Sequence, residues 1–275
     1  SLHDLYNRAS TPWEWHAPIL ARAAERGMAC FSSPFSEDAV DFLVDLGVPA
    51  LKIASLENVD LPLIRYSAAT GLPLIISTGL ATEDEVSAAV EAARSAGCTR
   101  LAILKCTASY PADPAQSHVR TIPDMRERFG CEVGLSDHTM GIGVPLAAIA
   151  LGAVIVEKHV TLSRAGGGVD AAFSLEPHEL AALVTESERA HQALGEVHYG
   201  PVPGEAGALL RRRSLYFVED VPAGTTLTAA HVGRIRPGKG LSPKHYERVL
   251  GSRTRVDVFR GTPVSWDLID AEPEA

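Results

Sequence analysis

Two histidines stand at the ends of neighbouring strand-like segments. His138 lies in Gly134–Thr139, and His159 follows the apolar run 153–156. The small-residue segment 141–152 between them is typical of a crossover helix, so both side chains should reach one edge of a parallel sheet. A histidine pair without cysteines favours Mn²⁺, or alternatively Mg²⁺ or Co²⁺, in a site with open positions. Two hydrogen-bonded structural histidines remain the alternative interpretation.

Other polar side chains follow or end the remaining apolar runs. They include hydroxyls, lysines and a carboxylate: Ser33, Lys52, Ser55, Glu57, Ser77, Lys105, Tyr110 and Ser136. Lysines and hydroxyls suit the phosphate or carboxylate of a small molecule. Each serine taken singly is also a good helix N-cap. As a set, and with a metal, these residues predict an enzyme that acts on a small anionic substrate.

The elements that must position these residues alternate between strands and helices. Six apolar runs read as buried strands, at 28–31, 50–54, 72–76, 101–104, 131–135 and 153–156. Helical patterns follow them at 37–46, 60–70, 82–96, 119–129, 141–152 and 176–194. This order predicts βαβ units, with functional groups at the C-terminal ends of parallel strands.

Six units do not close a (β/α)₈ TIM barrel, which needs eight. The sequence therefore predicts either an open doubly wound sheet or a TIM barrel whose first two strands are absent from this sequence. The abrupt start at Ser1 favours the second interpretation.

The character of the sequence changes after the last predicted helix. We expect a barrel domain over residues 1–199, a Pro- and Gly-rich linker over 200–213 and a small β-rich module over 214–275. Acidic residues exceed basic ones before residue 209, whereas basic residues exceed acidic ones after it. This asymmetry also favours two modules.

Composition excludes several classes of function. The formal net charge of −9 argues against a nucleic-acid partner. The longest apolar run, 144–156, is interrupted by Pro145 and Gly152 and is shorter than the roughly 20 residues that span a bilayer, so no membrane partner is expected. The four cysteines show no CxxC spacing, which favours reduced thiols and a cytoplasmic location.

Together these motifs resemble the sialic acid synthase family, whose members condense phosphoenolpyruvate with an amino sugar. The segments that carry the resemblance span nearly the whole chain: Phe31–Ser36, Leu51–Ser55, Ile76–Leu80, Leu104–Thr107 with Tyr110, Gly134–Thr139, Glu157–His159 and Arg236–Gly238. Thr11–His16 and Thr161–Arg164 look most like the pseudaminic acid synthase branch.

The resemblance implies a TIM barrel followed by a small antifreeze-like (SAF) domain. It also implies a homodimer in which that domain covers the barrel mouth of the partner. The implied metal ligands are His138 and His159, which are also catalytic together with Glu57 as the acid/base. Phosphoenolpyruvate would be bound by Ser33, Lys52, Ser55, Ser77 and Ser136, and the sugar by Tyr110, Asp170 and Arg236.

Two features depart from the family pattern. An acidic residue and a phosphate-binding lysine on the family's first two strands have no counterpart in this sequence, and Ala108 and Ser109 stand where many sialic acid members have an asparagine. The resemblance predicts condensation of phosphoenolpyruvate with a 2,4-diacetamido-trideoxyhexose to a nonulosonic acid. N-acetylneuraminic and legionaminic acid synthases are alternatives that differ in the sugar, and a non-catalytic carbohydrate-binding or scaffolding protein is the alternative of another class. An aldolase without a C-terminal module is disfavoured by residues 214–275.

Overall fold

The computed structural model describes residues 10–271, and the chain divides into two compact units, Ser1–Gly195 and Glu196–Ala275. The first unit is built on a parallel sheet whose five strands follow chain order. They are β1 (Leu51–Ile53), β2 (Leu74–Ser77), β3 (Leu101–Cys106), β4 (Glu132–Asp137) and β5 (Val156–Lys158). Five of the six predicted strands are thereby confirmed, although β5 shares only Val156 with the predicted run 153–156.

Helices precede, connect and follow these strands. They are α1 (Trp13–Glu25), α2 (Glu37–Asp45), α3 (Leu61–Ala69), α4 (Glu83–Ser95), α5 (Thr121–Phe129), α6 (Gly143–Ala150) and α7 (Pro177–Leu194). The predicted capping box of α4 is present, since Thr82 Oγ1 accepts from the Glu85 N–H at 3.3 Å and Glu85 Oε2 accepts from the Thr82 N–H at 2.7 Å. These reciprocal bonds satisfy two otherwise unpaired donors and fix where α4 begins.

The predicted strand at 28–31 is not formed. On the side of β1 away from β2, pairing among the described residues is limited to one isolated parallel bridge between Ser32 and Leu51. Met28 and Phe31 are exposed, so this run lacks the burial on both faces that its apolar composition had indicated. A strand of a parallel sheet needs that burial to offset the cost of ordering the backbone.

The two faces of the sheet differ because successive side chains of a strand point to opposite sides. Alternate residues such as Leu51, Ile53 and Ile103 belong to the hydrophobic core shared with the helices. The residues between them face the other side, where Lys52 of β1 forms an ion pair with Glu157 of β5. This contact joins the first and last strands across the concave side, so the sheet is curled into a half-barrel.

The second unit is small and rich in turns. It contains α8 (Ala206–Leu209), the antiparallel pair β6 (Ser214–Phe217) and β7 (Val232–Ile235), and α9 (Tyr246–Val249). It has its own core, formed by Leu215, Phe217, Val221, Leu227, Val232, Val249, Val258, Val264 and Ile269. Gly240 is required here, since a Cβ atom would lie 2.2 Å from the Leu215 carbonyl oxygen. Between residues 10 and 271, the structure contains no helix both long and apolar enough to cross a membrane.

Candidate active site

A polar network joins three strands on the concave face. Lys52 is 12% exposed and its Nζ lies 3.3 Å from Glu157 Oε2. Ser136 Oγ donates to Glu157 Oε1 at 2.7 Å. Glu157 therefore links β1, β4 and β5, although the sequence had not marked it as a site residue. The strand alternation that places residues 157 and 159 on one face would have identified it.

His138 is buried at the end of β4, with its Nδ1 2.9 Å from the Thr107 carbonyl oxygen. A carbonyl oxygen only accepts, so Nδ1 carries the proton and the neutral ring has its free lone pair on Nε2. Burial lowers the pKa of His138, but hydrogen bonds with the Cys106 thiol and the Thr107 carbonyl outweigh it, and the pKa is raised above its ordinary value.

His159 follows β5 and faces the same side as His138. Its Nδ1 lies 3.5 Å from Asp170 Oδ2. Burial lowers the pKa of His159, and the neighbouring His138 lowers it further. A carboxylate behind a histidine is the arrangement that orients a metal-binding imidazole.

The distance between the two rings fits a shared metal ion. The ring centres of His138 and His159 are 5.2 Å apart. Two imidazoles that bind one metal at about 2.1 Å have ring centres about 5 Å apart. Within the described residues, no group of three or more His, Cys, Asp or Glu is arranged to hold a metal. Two imidazole ligands with further positions for water and substrate are the pattern of an open rather than a structural site.

Aromatic side chains border the histidine pair. The ring centre of Tyr110 lies 4.3 Å from that of His138, and the ring centre of Phe173 lies 5.1 Å from that of His159. Tyr110 is 55% exposed and Phe173 is buried. Phe173 was not predicted, because it lies in a loop without periodicity.

The ends of β1 and β2 come close together. A Cβ atom on Gly79 would lie 2.7 Å from Ser55 Oγ, and the Gly79 N–H donates to that oxygen at 3.1 Å. Asn58, which the sequence did not mark, donates to the carbonyls of Ser77 at 3.4 Å and Gly79 at 3.1 Å.

The Ser77 hydroxyl is buried and has no hydrogen-bond partner among the described residues. Leaving a buried polar group unpaired costs about 1–3 kcal/mol. The cost would be recovered by a ligand with hydrogen-bonding atoms, and Ser77 ends a strand on the face that carries Lys52. This hydroxyl therefore supports an anion site.

Glu57 ends a short 3₁₀ turn, Ser55–Glu57, after β1. Burial raises its pKa above the ordinary value, against the lowering by its own backbone N–H and by Lys52. A carboxyl group that keeps its proton to higher pH is suited to proton transfer.

Three further residues were predicted from the sequence. Ser33 follows Ser32, which pairs with β1, so it reaches the same end of the sheet but at its margin. Arg236 lies in the second unit, immediately after β7, and is exposed. The prediction that Lys105 helps to bind the anion is corrected, because strand alternation turns its side chain away from the concave face.

The Lys105 side chain lines a cavity of about 370 Å³ together with residues of α4 and α5. Its Nζ donates to the Cys106 carbonyl oxygen at 3.0 Å. Burial lowers the pKa of this amine. The position of Lys105 near the end of a strand had suggested an anion-binding role. Its side chain instead points to the same face as Ile103, which belongs to the hydrophobic core.

Comparisons with known proteins find similarity in both units of the chain. Residues 1–199 match the profile of the NeuB family, and residues 212–270 match that of the SAF domain. The chain is 38% identical over 263 residues to the pseudaminic acid synthase of Campylobacter jejuni subsp. jejuni serotype O:23/36, which covers 94% of this chain and 76% of the relative. It is 36% identical over 272 residues to the pseudaminic acid synthase of Helicobacter pylori, covering 98% of this chain and 80% of the relative.

A solved structure also resembles this one. The N-acetylneuraminic acid synthetase of Leptospira borgpetersenii, in complex with citrate, superposes with a TM-score of 0.70 at 32% identity, covering 75% of this chain and 72% of that one. The SAF domain predicted from the sequence is confirmed by the profile match.

Proposed function

Because the chain belongs to the NeuB family, whose members condense phosphoenolpyruvate with an amino sugar, we propose that it is a pseudaminic acid synthase. Its amino-sugar substrate would be a 2,4-diacetamido-trideoxyhexose, and its products a nine-carbon nonulosonic acid and phosphate. The observation that carries this choice of sugar is the 36–38% identity to two pseudaminic acid synthases over most of the chain. On the same grounds, the curled sheet is part of a (β/α)₈ barrel, with domain limits at 1–199, 200–213 and 214–275.

Phosphoenolpyruvate binds on the concave face in this proposal. Lys52 supplies a positive charge, and its carboxylate partner Glu157 is shared with Ser136. The unpaired hydroxyl of Ser77 offers a further donor. Ser55 follows β1, and Ser33 follows the residue that bridges to β1. Charge-assisted hydrogen bonds of this kind are among the strongest that a protein offers to a phosphate or carboxylate.

His138 and His159 are the proposed ligands of a divalent metal, Mn²⁺ or alternatively Mg²⁺ or Co²⁺. When bound, such a metal acts as a Lewis acid that polarises the sugar aldehyde, an effect of several kcal/mol on developing charge. The chain itself holds the His138 ring through the Thr107 carbonyl and the His159 ring beside Asp170. Tyr110 and Asp170 also contact the sugar in this proposal.

The reaction forms one carbon–carbon bond and exchanges the C2–O bond to phosphate for one to water. The C3 atom of phosphoenolpyruvate attacks the aldehyde carbon, and the aldehyde oxygen takes a proton. C2 thereby becomes an oxocarbenium, to which water adds with loss of a proton. Phosphate then leaves with the C2–O bond electrons, and loss of the remaining hydroxyl proton gives the C2 ketone. Glu57, with its raised pKa, is the proposed acid/base for these proton transfers.

The assembly proposed is a homodimer in which the SAF domain of one subunit covers the barrel mouth of the other. Arg236, exposed after β7, would then contact the sugar in the partner's site. A cytoplasmic location fits the four cysteines, all of which are free.

Turnover assays test this function. The protein is incubated with Mn²⁺, phosphoenolpyruvate and, separately, the 2,4-diacetamido-trideoxyhexose precursors of pseudaminic and legionaminic acid and N-acetylmannosamine. We expect phosphate release matched by nonulosonic acid formation, fastest with the pseudaminic precursor and abolished in His138→Ala and His159→Ala. Faster turnover of another sugar would reassign the substrate. No phosphate release with any sugar would refute a synthase and favour the non-catalytic alternative, in which His138→Ala leaves sugar binding intact.

A further inference from the structure

A buried ion pair lies on the outer side of the strands that end at the two histidines. Lys158 Nζ lies 2.6 Å from Asp137 Oδ2, and the two side chains are 4% and 2% exposed. The residues are direct partners in the register of β4 and β5. Because each is adjacent in sequence to one histidine, the pair connects the backbones that carry His138 and His159.

Thr139 extends this connection to the other side of His138. Asp137 Oδ1 accepts from the Thr139 N–H at 3.0 Å, and Asp137 Oδ2 accepts from Thr139 Oγ1 at 2.9 Å. Lys158 Nζ also donates to the Thr139 carbonyl oxygen. The two residues that flank His138 are therefore bonded to the residue that precedes His159.

Stability alone does not account for these charges. A buried ion pair costs so much desolvation that apolar residues of similar volume often give an equal or higher free energy of unfolding. The surroundings of Lys158 would accept an apolar residue, since its side chain lines a cavity together with Ile149, Val156 and Leu183. The ion pair does provide a fixed geometry between the ends of two strands.

We infer that Asp137 and Lys158 are positioning residues that set the spacing of His138 and His159 and thereby the affinity for the metal. This inference rests on the proposed metal site. Neither residue reaches the concave face, so neither is a catalytic residue. His159 depends on the pair more than His138 does, because His138 is also held by the 2.9 Å hydrogen bond to Thr107, whereas the Asp170 contact of His159 is 3.5 Å.

The test measures Mn²⁺ affinity directly. The full chain is titrated with Mn²⁺, and binding is monitored by electron paramagnetic resonance. The variants are Lys158→Met and the double variant Asp137→Asn/Lys158→Met, in which no unpaired charge remains and the asparagine oxygen can still accept from Thr139. We expect Mn²⁺ to bind about 10-fold more weakly in both. The melting temperature should fall in Lys158→Met and recover in the double variant, so that affinity and stability separate.

Leu63→Ala is the matched control. Leu63 is a buried core residue of α3, and its truncation should lower the melting temperature without changing Mn²⁺ affinity. The absorption spectrum of bound Co²⁺ provides a second reading, and we expect it to change in the double variant but not in the control. Wild-type affinity and an unchanged Co²⁺ spectrum in the double variant would overturn the inference while leaving the metal site in place. Failure of the wild-type protein to bind Mn²⁺ or Co²⁺ would overturn both.

Discussion

The concave and outer faces of the sheet carry similar polar residues at the same strand ends. The two faces differ in how far the hydrogen-bonding groups of these residues are paired within the protein. On the outer face, Asp137, Lys158 and Thr139 bond to one another and are closed to solvent. On the concave face, the Ser77 hydroxyl is unpaired and Lys52 shares one carboxylate with Ser136. Groups with unused bonding capacity are available to a ligand, whereas the closed set on the outer face is structural. Among the polar residues at the strand ends, incomplete satisfaction therefore distinguishes the candidate site better than polarity does.

Lys52 and Lys105 show the same contrast with one residue type. Both occur in strands and both were predicted to bind an anion. Lys52 faces the concave side, whereas Lys105 lies against the helices in its own cavity. If the contrast is correct, substitutions on the two faces will have different effects.

The largest effect is expected from Glu57, the carboxyl group that follows β1. Glu57→Gln should lower kcat by about 10²- to 10⁴-fold, because it removes a general acid/base. The raised pKa of Glu57 keeps its proton to higher pH, so a wild-type profile limited by the acid form should fall as pH rises through that pKa, and the limb should vanish in the variant. Glu83→Gln, at the exposed start of α4, is the control and should leave kcat and its pH profile unchanged. Equal losses in both variants would contradict the contrast.

The lysines give the next largest effect. Lys52→Met should raise KM for phosphoenolpyruvate by roughly 10- to 100-fold, since hydrogen bonds to charged groups contribute about 1.5–3 kcal/mol. Lys105→Met should change it by less than about twofold, because its amine donates to backbone on the outer side. Steady-state kinetics at saturating sugar measure both. A comparable rise in Lys105→Met would return Lys105 to the anion site.

A smaller effect is expected from two buried hydroxyls that both lack a partner among the described residues. Ser77→Ala should raise KM for phosphoenolpyruvate by about 3- to 10-fold, the value of one hydrogen bond, without lowering the free energy of unfolding. Ser67→Ala, in α3 on the outer side, should leave KM unchanged and should likewise not lower the free energy of unfolding. A loss of stability in Ser77→Ala would show that the hydroxyl is bonded within the protein.

The smallest effect is expected at the start of α4, and on stability alone. Thr82→Ala should lower the free energy of unfolding by about 1 kcal/mol through loss of the α4 N-cap, with kcat unchanged. Hydrogen bonds from Thr82 lower the pKa of Glu85 below its ordinary 4.5. The ionised carboxylate therefore stabilises the cap above pH 4.5, and this contribution is lost as pH falls through the lowered pKa. Urea unfolding at neutral and acidic pH measures the difference in free energy of unfolding between the wild type and Thr82→Ala. We expect this difference to be smaller at acidic pH.

Much of the scaffold could be predicted from local patterns. The helix start at Thr82 follows from its capping box, and β1 to β5 follow from apolar runs with helices between them. The run 28–31 was predicted as a strand because composition cannot report whether both of its faces are covered. Phe173 and Asn58 were missed, since a loop or a turn carries no periodicity that marks a binding residue.

The sequence by itself determined the order of strands and helices, the separate C-terminal module and the placement of polar residues at strand ends. These depend on short-range propensities and on spacing along the chain. Only the tertiary structure decided which face each side chain takes, because a shift of one residue reverses the face of a strand. It also decided that Glu157 is the partner of Lys52, since curling of the sheet brings together strands that are about a hundred residues apart in the chain.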